Sequence, residues 1–191
     1  MKYWKVNQLS QSIVLIGMMG AGKSSVGQCL NRRTDLALYD IDRIVTARFG
    51  MSIPEIFTEH GEKKFRQAET EALCCIRTGE QKIIITGGGI VLRKENVEIL
   101  RRQGVVVWLD ADEETLYARA SRKQNRPLLH TKNPRRAFSQ ILRARRPLYA
   151  KFADIRVDTS ILTKQEVAVA ILSKLGRLSP KLGSSGVSAT T

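Results

Sequence analysis

A glycine-rich segment with an adjoining lysine and serine constrains the fold of this chain more than any other feature. The pattern G-x-x-x-x-G-K-S spans Gly17 to Ser24, between the apolar run 13–16 and a helical segment at 23–32. Glycines in this context let the backbone turn with its N–H groups pointing inward, which makes an anion site at a helix N-terminus. The sequence therefore predicts a P-loop that binds the phosphates of a nucleotide.

Two side chains of this motif have predictable roles. Lys23 supplies a point charge for the β- and γ-phosphates, and the Ser24 hydroxyl can ligate Mg²⁺. A glycine-rich turn without a ligand would not explain a lysine and a serine at these offsets. We therefore expect ATP as the nucleotide and Mg²⁺ as the metal.

Short apolar runs alternate with helical segments along the rest of the chain. Further strands are expected at 36–39, 83–86, 105–109 and 155–157. These runs are β-branched and do not alternate with polar residues, which is typical of strands buried on both faces of a parallel sheet. The predicted fold is a three-layer α/β domain with a mostly parallel, five-stranded sheet.

The chain between the second and third strands is too long for one crossover helix. Residues 41–81 show helical periodicity with breaks at Gly50, Pro54 and Gly61. We therefore expect a small helical subdomain at about residues 41–70.

Another segment, residues 120–134, has two prolines and almost no apolar periodicity. Such a segment is a candidate mobile lid. Both ends of the chain have the composition of flexible segments. The predicted boundaries are a flexible start at 1–10, a domain at 11–176 and a disordered tail at 177–191.

Charge and composition exclude several classes of function. The formal charge is +14, and residues 115–153 hold eleven Lys or Arg and no Asp or Glu. This stretch indicates anion binding, but it lacks the interleaved aromatic residues that stack on single strands, so we expect no specific nucleic-acid partner. No window approaches the roughly 18 to 20 apolar residues of a membrane span. We expect a cytoplasmic monomer that does not bind membranes.

The three cysteines are Cys29, Cys74 and Cys75. Their number and spacing suit neither a disulfide framework nor a zinc site. We expect them to be buried as small apolar side chains.

Polar residues near the predicted strand ends suit a small phosphate acceptor. Asp40 suits the metal and Asp42 an acceptor hydroxyl, unless Asp42 only caps a helix. Arg66 and Glu69 share a helix face, either as a solvated salt bridge or as an arginine braced to grip a carboxylate. Three glycines follow the strand at 83–86, where they can admit a ligand to the backbone. They are Gly87, Gly88 and Gly89.

Six motifs, taken in order, resemble those of the shikimate kinase family. They are GMMGAGKS (17–24), YDID (39–42), GEKKFRQAE (61–69), TGGG (86–89), RPLL (126–129) and RRPLY (145–149). The resemblance runs from about residue 12 to 175. It implies a P-loop core, an acceptor-binding subdomain and a lid that closes over ATP, with shikimate 3-phosphate as the product.

The resemblance also implies roles for individual residues. The residues that would contact or adjoin shikimate are Asp42, Arg66, Gly87, Gly88, Gly89 and Arg145. Those that would hold the nucleotide phosphates are Gly20, Ala21, Gly22, Lys23, Ser24 and Ser25. Arg126 would reach the transferring phosphoryl group, and Arg119 would pack by the adenine. Counting back from the Leu148–Tyr149 pair favours Arg145 over Arg146, while Leu162 stands where relatives often have a polar contact to adenine.

Three other functions fit parts of the sequence. A gluconate kinase shares the P-loop and the lid, but it has no reason to combine Arg66, TGGG and Arg145. A nucleoside monophosphate kinase also uses arginines, yet Asp42 and the glycines fit a hydroxyl acceptor better. A domain that binds ATP without catalysis would be expected to lack Asp42 or Arg126, and both are present.

The predicted lid arginine can be tested directly. Arg126→Ala should leave acceptor binding largely intact and abolish turnover, because lid closure would bring Arg126 to the phosphoryl group only when both ligands are bound. Shikimate-dependent ADP release and shikimate titration measure the two effects separately. Near-normal turnover would contradict this role.

Overall fold

Five short apolar strands form the centre of the structure, a computed structural model that describes residues 11–122, 127–129 and 131–178. Every neighbouring pair of strands is parallel, in the order β2-β3-β1-β4-β5. The strands are β1 (Ser12–Ile16), β2 (Ala37–Asp40), β3 (Lys82–Ile85), β4 (Gly104–Asp110) and β5 (Ile155–Asp158). The predicted fold class is confirmed, and the predicted strand ends lie within two residues of these.

Seven α-helices connect and follow the strands in the described part of the chain. They are α1 (Lys23–Thr34), α2 (Ile41–Phe49), α3 (Ile53–Cys74), α4 (Lys94–Gln103), α5 (Glu113–Ser121), α6 (Pro134–Phe152) and α7 (Lys164–Leu178). Short 3-10 turns occur at Ile90–Leu92 and Pro127–Leu129. Helix α4 was not predicted, because its only buried apolar residues are Val97 and Leu100, too few for a clear helical period.

Helices cover both faces of the sheet. Helices α1 and α7 pack together on one face, with α1 against β1, β2 and β3, whereas α4 and α6 pack on the other. This arrangement follows from right-handed crossovers. The chain crosses the sheet in one direction from β1 to β2 and in the opposite direction from β3 to β4, so the connecting helices lie on opposite faces. The strand order therefore reverses at β1, and ligands bind at the carboxyl ends of such strands.

Helices α2 and α3 pack against each other beside the sheet. Gly50 ends α2 in a left-handed conformation, and Ser52 and Glu55 form a capping box at the start of α3. Gly61 interrupts α3 with φ 75° and ψ 164°. In a straight helix Phe57 and Phe65 would be separated by a rise of roughly 12 Å. With the helix interrupted at Gly61, the ring centroids of Phe57 and Phe65 lie only 4.9 Å apart. The two rings therefore form one aromatic wall.

The cysteine prediction was only partly right. Cys29 is buried, but Cys74 and Cys75 are exposed. Cys74 is the last residue of α3 and Cys75 follows it, whereas the buried residues at this end of the helix are Ala72 and Leu73.

Several predicted segments lie partly outside the described residues. Residues 1–10 and 179–191 are outside, although α7 extends to Leu178 and so includes the first two residues of the predicted tail. Two parts of the predicted lid (120–134) are also outside: residues 123–126, which include Arg126, and residue 130. In the described part of the chain, no helix combines the length and apolar character needed to cross a membrane.

Candidate active site

The P-loop joins β1 to α1 through glycines in left-handed conformations. Gly20 and Gly22 both have φ +88°, and a Cβ on Gly20 would overlap the carbonyl oxygen of Leu116. No side chain caps the first turn of α1, and that turn contains no acidic residue. Its backbone N–H groups and the positive end of the helix dipole are therefore directed at the loop, which is a site for phosphate.

A cavity of about 470 Å³ lies over this loop. The ammonium group of Lys23 donates to the carbonyl oxygens of Gly17 at 2.7 Å and Met18 at 3.1 Å. All residues predicted to hold the nucleotide phosphates line the cavity: Gly20, Ala21, Gly22, Lys23, Ser24 and Ser25. The structure thus brings the whole predicted phosphate site together around one space.

Ser24 and Asp40, the predicted metal ligands, line the same cavity. The Asp40 carboxylate also caps α2, because it accepts a hydrogen bond from the backbone N–H of Arg43 at 3.3 Å. The helix cap that the sequence suggested for Asp42 therefore belongs to Asp40. Among the residues described, no group of three or more His, Cys, Asp or Glu could hold a metal alone. A hydroxyl and one carboxylate fit Mg²⁺ that is held jointly with nucleotide phosphates.

The other end of the cavity lies between α5 and the segment after β5. Arg119 donates to the Thr159 hydroxyl at 3.2 Å, the Thr159 carbonyl at 2.9 Å and the Ser160 carbonyl at 3.2 Å. These bonds fix the guanidinium at the cavity wall, where Leu162 also lies. Thr86 of the TGGG motif lines the cavity too. Further lining residues were not predicted because they belong to no motif: Arg122, Thr159, Lys164 and Val167.

A second, smaller cavity of about 60 Å³ adjoins the first. It gathers every residue that was predicted to contact shikimate: Asp42, Arg66, Gly87, Gly88, Gly89 and Arg145. Glu69 joins them, and apolar side chains complete the wall, including Phe57, Phe65 and Leu128. Met19, Asp42 and Gly88 line both cavities, so the two spaces meet at these residues.

Arg66 is held by two carboxylates of its own helix. Its guanidinium bonds to Glu69 at 2.7 Å and to Glu62 at 2.8 Å. Glu69 is fully buried and Arg66 is 8% exposed. Of the two possibilities left by the sequence, the geometry is that of a braced arginine and not of a solvated salt bridge.

The adjacent arginines of α6 have different surroundings. Arg145 is buried and lines the smaller cavity. Arg146 bonds instead to the buried carboxylate of Asp110 at 3.0 Å, which also accepts from Arg156 at 2.7 Å. Because consecutive helical residues point about 100° apart, the ion pair of Arg146 leaves Arg145 facing the cavity.

The glycines after β3 are required for space. A Cβ on Gly87 would lie 2.7 Å from oxygens of both Asp42 and Glu69, and one on Gly89 would overlap the Arg66 guanidinium. Neither glycine has a positive φ. The sequence predicted that these glycines admit a ligand, whereas in the structure they first admit the charged side chains of the site itself.

Burial shapes the electrostatics of this cluster. It raises the pKa of Glu69 to about 7, although the Arg66 guanidinium pulls that pKa down. Burial also disfavours the charge on Arg66, but the carboxylates of Glu69 and Glu62 outweigh it and raise the pKa of Arg66. Arg145 has a lowered pKa, chiefly because it is buried. One Glu69 oxygen has no hydrogen-bond partner among the described residues.

A nucleotide-phosphate loop beside a small pocket of paired arginines and carboxylates defines the chain as a P-loop kinase for a small acidic molecule. The family model for shikimate kinase matches residues 19–176. The chain is 41% identical over 169 residues to the shikimate kinase of Thermodesulfovibrio yellowstonii, covering 88% of this chain and 97% of the relative. With the Symbiobacterium thermophilum enzyme it shares 43% identity, covering 86% and 95%. The chain belongs to the shikimate kinase family.

Solved structures agree with this assignment. The shikimate kinase from Acinetobacter baumannii in complex with shikimate has 35% identity and a TM-score of 0.84, and the match covers 91% of this chain and 96% of that one. A gluconokinase from Sinorhizobium meliloti, at 19% identity and a TM-score of 0.57, shows only a common fold. The predicted family is confirmed, and with it the predicted function of an ATP-dependent shikimate kinase.

The close approach at Gly89 predicts a specific defect. Gly89→Ala should raise the KM for shikimate about tenfold, because the added methyl group displaces Arg66 and weakens a charge-assisted hydrogen bond of about 1.5 to 3 kcal/mol. Steady-state kinetics with ATP saturating measures the change. The control is Gly50→Ala, which meets no atom within 4 Å. It should lower stability through its positive φ and leave this KM unchanged, and equal KM values for both variants would contradict the prediction.

The raised pKa of Glu69 predicts a pH dependence of stability. Between its ordinary value of 4.5 and about 7 the folded chain binds more protons at Glu69 than the unfolded chain does. The free energy of unfolding should therefore fall as pH rises through this window, by on the order of 1 to 3 kcal/mol. Glu69→Gln should remove this loss.

Urea denaturation at stepwise pH from 4.5 to 7.5 measures the difference between wild type and Glu69→Gln. Glu59→Gln, which changes an exposed carboxyl on the same helix, should follow the wild-type curve. Parallel curves for wild type and Glu69→Gln would show that Glu69 does not titrate in this window.

Proposed function

We propose that the chain transfers the γ-phosphate of ATP to the 3-hydroxyl of shikimate, with ATP in the larger cavity and shikimate in the smaller one. The observation that carries this proposal is the junction between the cavities, where Asp42 lines both. In-line transfer requires the attacking hydroxyl to meet the terminal phosphoryl group. A carboxylate at the junction can hold that hydroxyl.

The acceptor is oriented by charge at one end of its ring. Arg66 and Arg145 supply two guanidinium groups to the same pocket, and guanidinium groups bind carboxylates with paired hydrogen bonds. The aromatic wall of Phe57 and Phe65 faces the same space, so it can pack against the apolar face of the ring. A carboxylate held by the arginines places the opposite hydroxyls near Asp42.

Asp42 would accept a hydrogen bond from the attacking hydroxyl and receive its proton as the new P–O bond forms. Lys23 and the N–H groups at the start of α1 would stabilise the charge on the phosphate oxygens. Phosphoryl transfer asks a protein chiefly for such positioning and charge stabilisation. Catalytic roles are accordingly proposed for Lys23, Asp42 and Arg126.

Mg²⁺ would be held by the Ser24 hydroxyl and the Asp40 carboxylate together with the nucleotide. When bound, the ion neutralises charge on the β- and γ-phosphates. Asp40 is suited to this place because its position at the end of β2 is fixed by its own cap on α2. Arg119, tied to the segment after β5, would pack against the adenine.

Domain boundaries and the lid remain part of this proposal. We assign the domain to 11–176, the acceptor-binding subdomain to 41–70 and the lid to 120–134. Leu128, within the proposed lid, already lines the acceptor cavity, and the turn at Pro127–Leu129 packs on α3 and α6. Closure over this cavity would exclude water that could otherwise hydrolyse ATP. Arg126 lies in the same segment, outside the described residues.

The proposed state in solution is a monomer. The exposed large apolar side chains in the described part of the chain lie in a 3-10 turn, in the loop after β5 and in α7. They are Leu92, Ile161 and Val169. Isolated apolar residues of this kind are ordinary on a monomeric surface. The cytoplasmic location remains a prediction from the sequence.

The acceptor and the role of Asp42 can be tested in one assay. ADP release with ATP and Mg²⁺ would be followed with shikimate, gluconate, a mixture of nucleoside monophosphates or no acceptor. Turnover is expected only with shikimate. Asp42→Asn should lower kcat about 10²- to 10⁴-fold, because the hydroxyl loses its proton acceptor.

The matched control is Asp35→Asn, at the exposed end of α1 and outside both cavities. It should have wild-type kinetics, and Asp42→Asn should still bind ATP. Turnover with gluconate or a nucleoside monophosphate in place of shikimate would overturn the proposed acceptor. Full activity of Asp42→Asn would overturn the proposed role of Asp42 alone.

A further inference from the structure

Tyr149 is a buried polar residue of α6 that lines neither cavity. Its hydroxyl donates a hydrogen bond to the carbonyl oxygen of Gly88. Arg145 lies four residues earlier on the same helix face and lines the smaller cavity, and its guanidinium is near enough to lower the pKa of the Tyr149 hydroxyl. The Tyr149 hydroxyl therefore lies between Arg145 and Gly88, the second of the three glycines after β3.

The same region also contacts the P-loop. A Cβ on Gly88 would lie 3.4 Å from the carbonyl oxygen of Gly17 and 3.5 Å from the backbone nitrogen of Met19. It would lie 3.5 Å from the Tyr149 hydroxyl on its other side. Gly88 is thus enclosed between the P-loop and the Tyr149 hydroxyl.

The protonation state of Tyr149 suits both bonds. Burial raises the pKa of Tyr149 to about 12, although the nearby Arg145 guanidinium lowers it. The hydroxyl therefore keeps its proton throughout the neutral range. A neutral phenol can donate to the Gly88 carbonyl and accept from the Arg145 guanidinium at the same time.

The ring of Tyr149 is held independently of its hydroxyl. It lies beside Trp108 of β4, with ring centroids 6.1 Å apart, and it is fully buried. Removing the hydroxyl alone should therefore leave the packing of α6 against the sheet intact. The function of the hydroxyl can be separated from the function of the ring.

We propose that the Tyr149 hydroxyl is a positioning group that sets the distance between the arginine binding the acceptor carboxylate and the loop at the junction of the two sites. The proposal rests on the proposed function, since it assigns Arg145 to the shikimate carboxylate. Without the hydroxyl, Arg145 loses its fixed partner and Gly88 loses the bond that holds it toward α6. The carboxylate of shikimate would then be bound more weakly, whereas ATP would bind as before.

Tyr149→Phe tests the proposal by kinetics. We expect kcat/KM for shikimate to fall about tenfold, mainly because KM rises. A change of about tenfold is the size of effect expected when one hydrogen bond to a charged group is lost. The KM for ATP should stay within about twofold of wild type. Tyr117→Phe, which removes a hydroxyl from a partly buried ring on α5, is the matched control and should have wild-type values.

A double variant separates positioning from general packing. If Tyr149 acts through Arg145, then in an Arg145→Ala background Tyr149→Phe should change kcat/KM for shikimate by less than about twofold, since groups that act together are not additive. An equal effect in both backgrounds, an unchanged KM for shikimate or a matching rise in the KM for ATP would overturn the proposal. Wild type that fails to phosphorylate shikimate in the same assay would instead overturn the proposed function.

Discussion

The parallel pairing of β1 with β3 is the constraint on which the active site depends. Residues Ile13, Val14 and Leu15 pair in register with Ile83, Ile84 and Ile85, and the Thr86 hydroxyl bonds to the Leu15 carbonyl at 2.9 Å. Parallel strands in register end at the same edge, so the P-loop and the glycine loop must emerge side by side. The proposed ATP and acceptor sites are therefore neighbours because β1 and β3 pair, and the pair is buried because its branched apolar residues exclude water from both faces of the sheet.

On this frame, the acceptor site depends on a buried network of unlike charges. Arg66, Glu69, Asp42 and Arg145 meet in a small space where each charge alone would be costly. The cost is offset by the charge-assisted hydrogen bonds of Arg66 to Glu69 and Glu62. A network of this kind contributes more to orientation than to stability, since every member restricts the rotamer of the next. Tyr149 connects this network to the glycines after β3 through its hydrogen bond to the Gly88 carbonyl.

The sequence predicted much of this arrangement, and the failures have physical reasons. The P-loop, the strands and the breaks at Gly50, Pro54 and Gly61 could be read because turn geometry and apolar runs leave local signals. Helix α4 was missed because only two apolar residues mark its buried side, and Cys74 and Cys75 were misplaced because composition does not define a helix face. The partners of Arg146 and Tyr149 could not be predicted, since they lie 36 and 61 residues away along the chain.

The glycines after β3 affect how such a site can change over time. Gly87 borders two carboxylates and Gly89 borders a guanidinium, so any larger residue competes with a charged group for the same volume. An acceptor without a carboxylate would remove the binding role proposed for Arg66, yet replacing Arg66 alone would leave Glu69 buried without its partner. Conversion of this scaffold to another acceptor therefore requires coordinated replacement of the loop and the helix, and single substitutions pass through inactive or unstable intermediates.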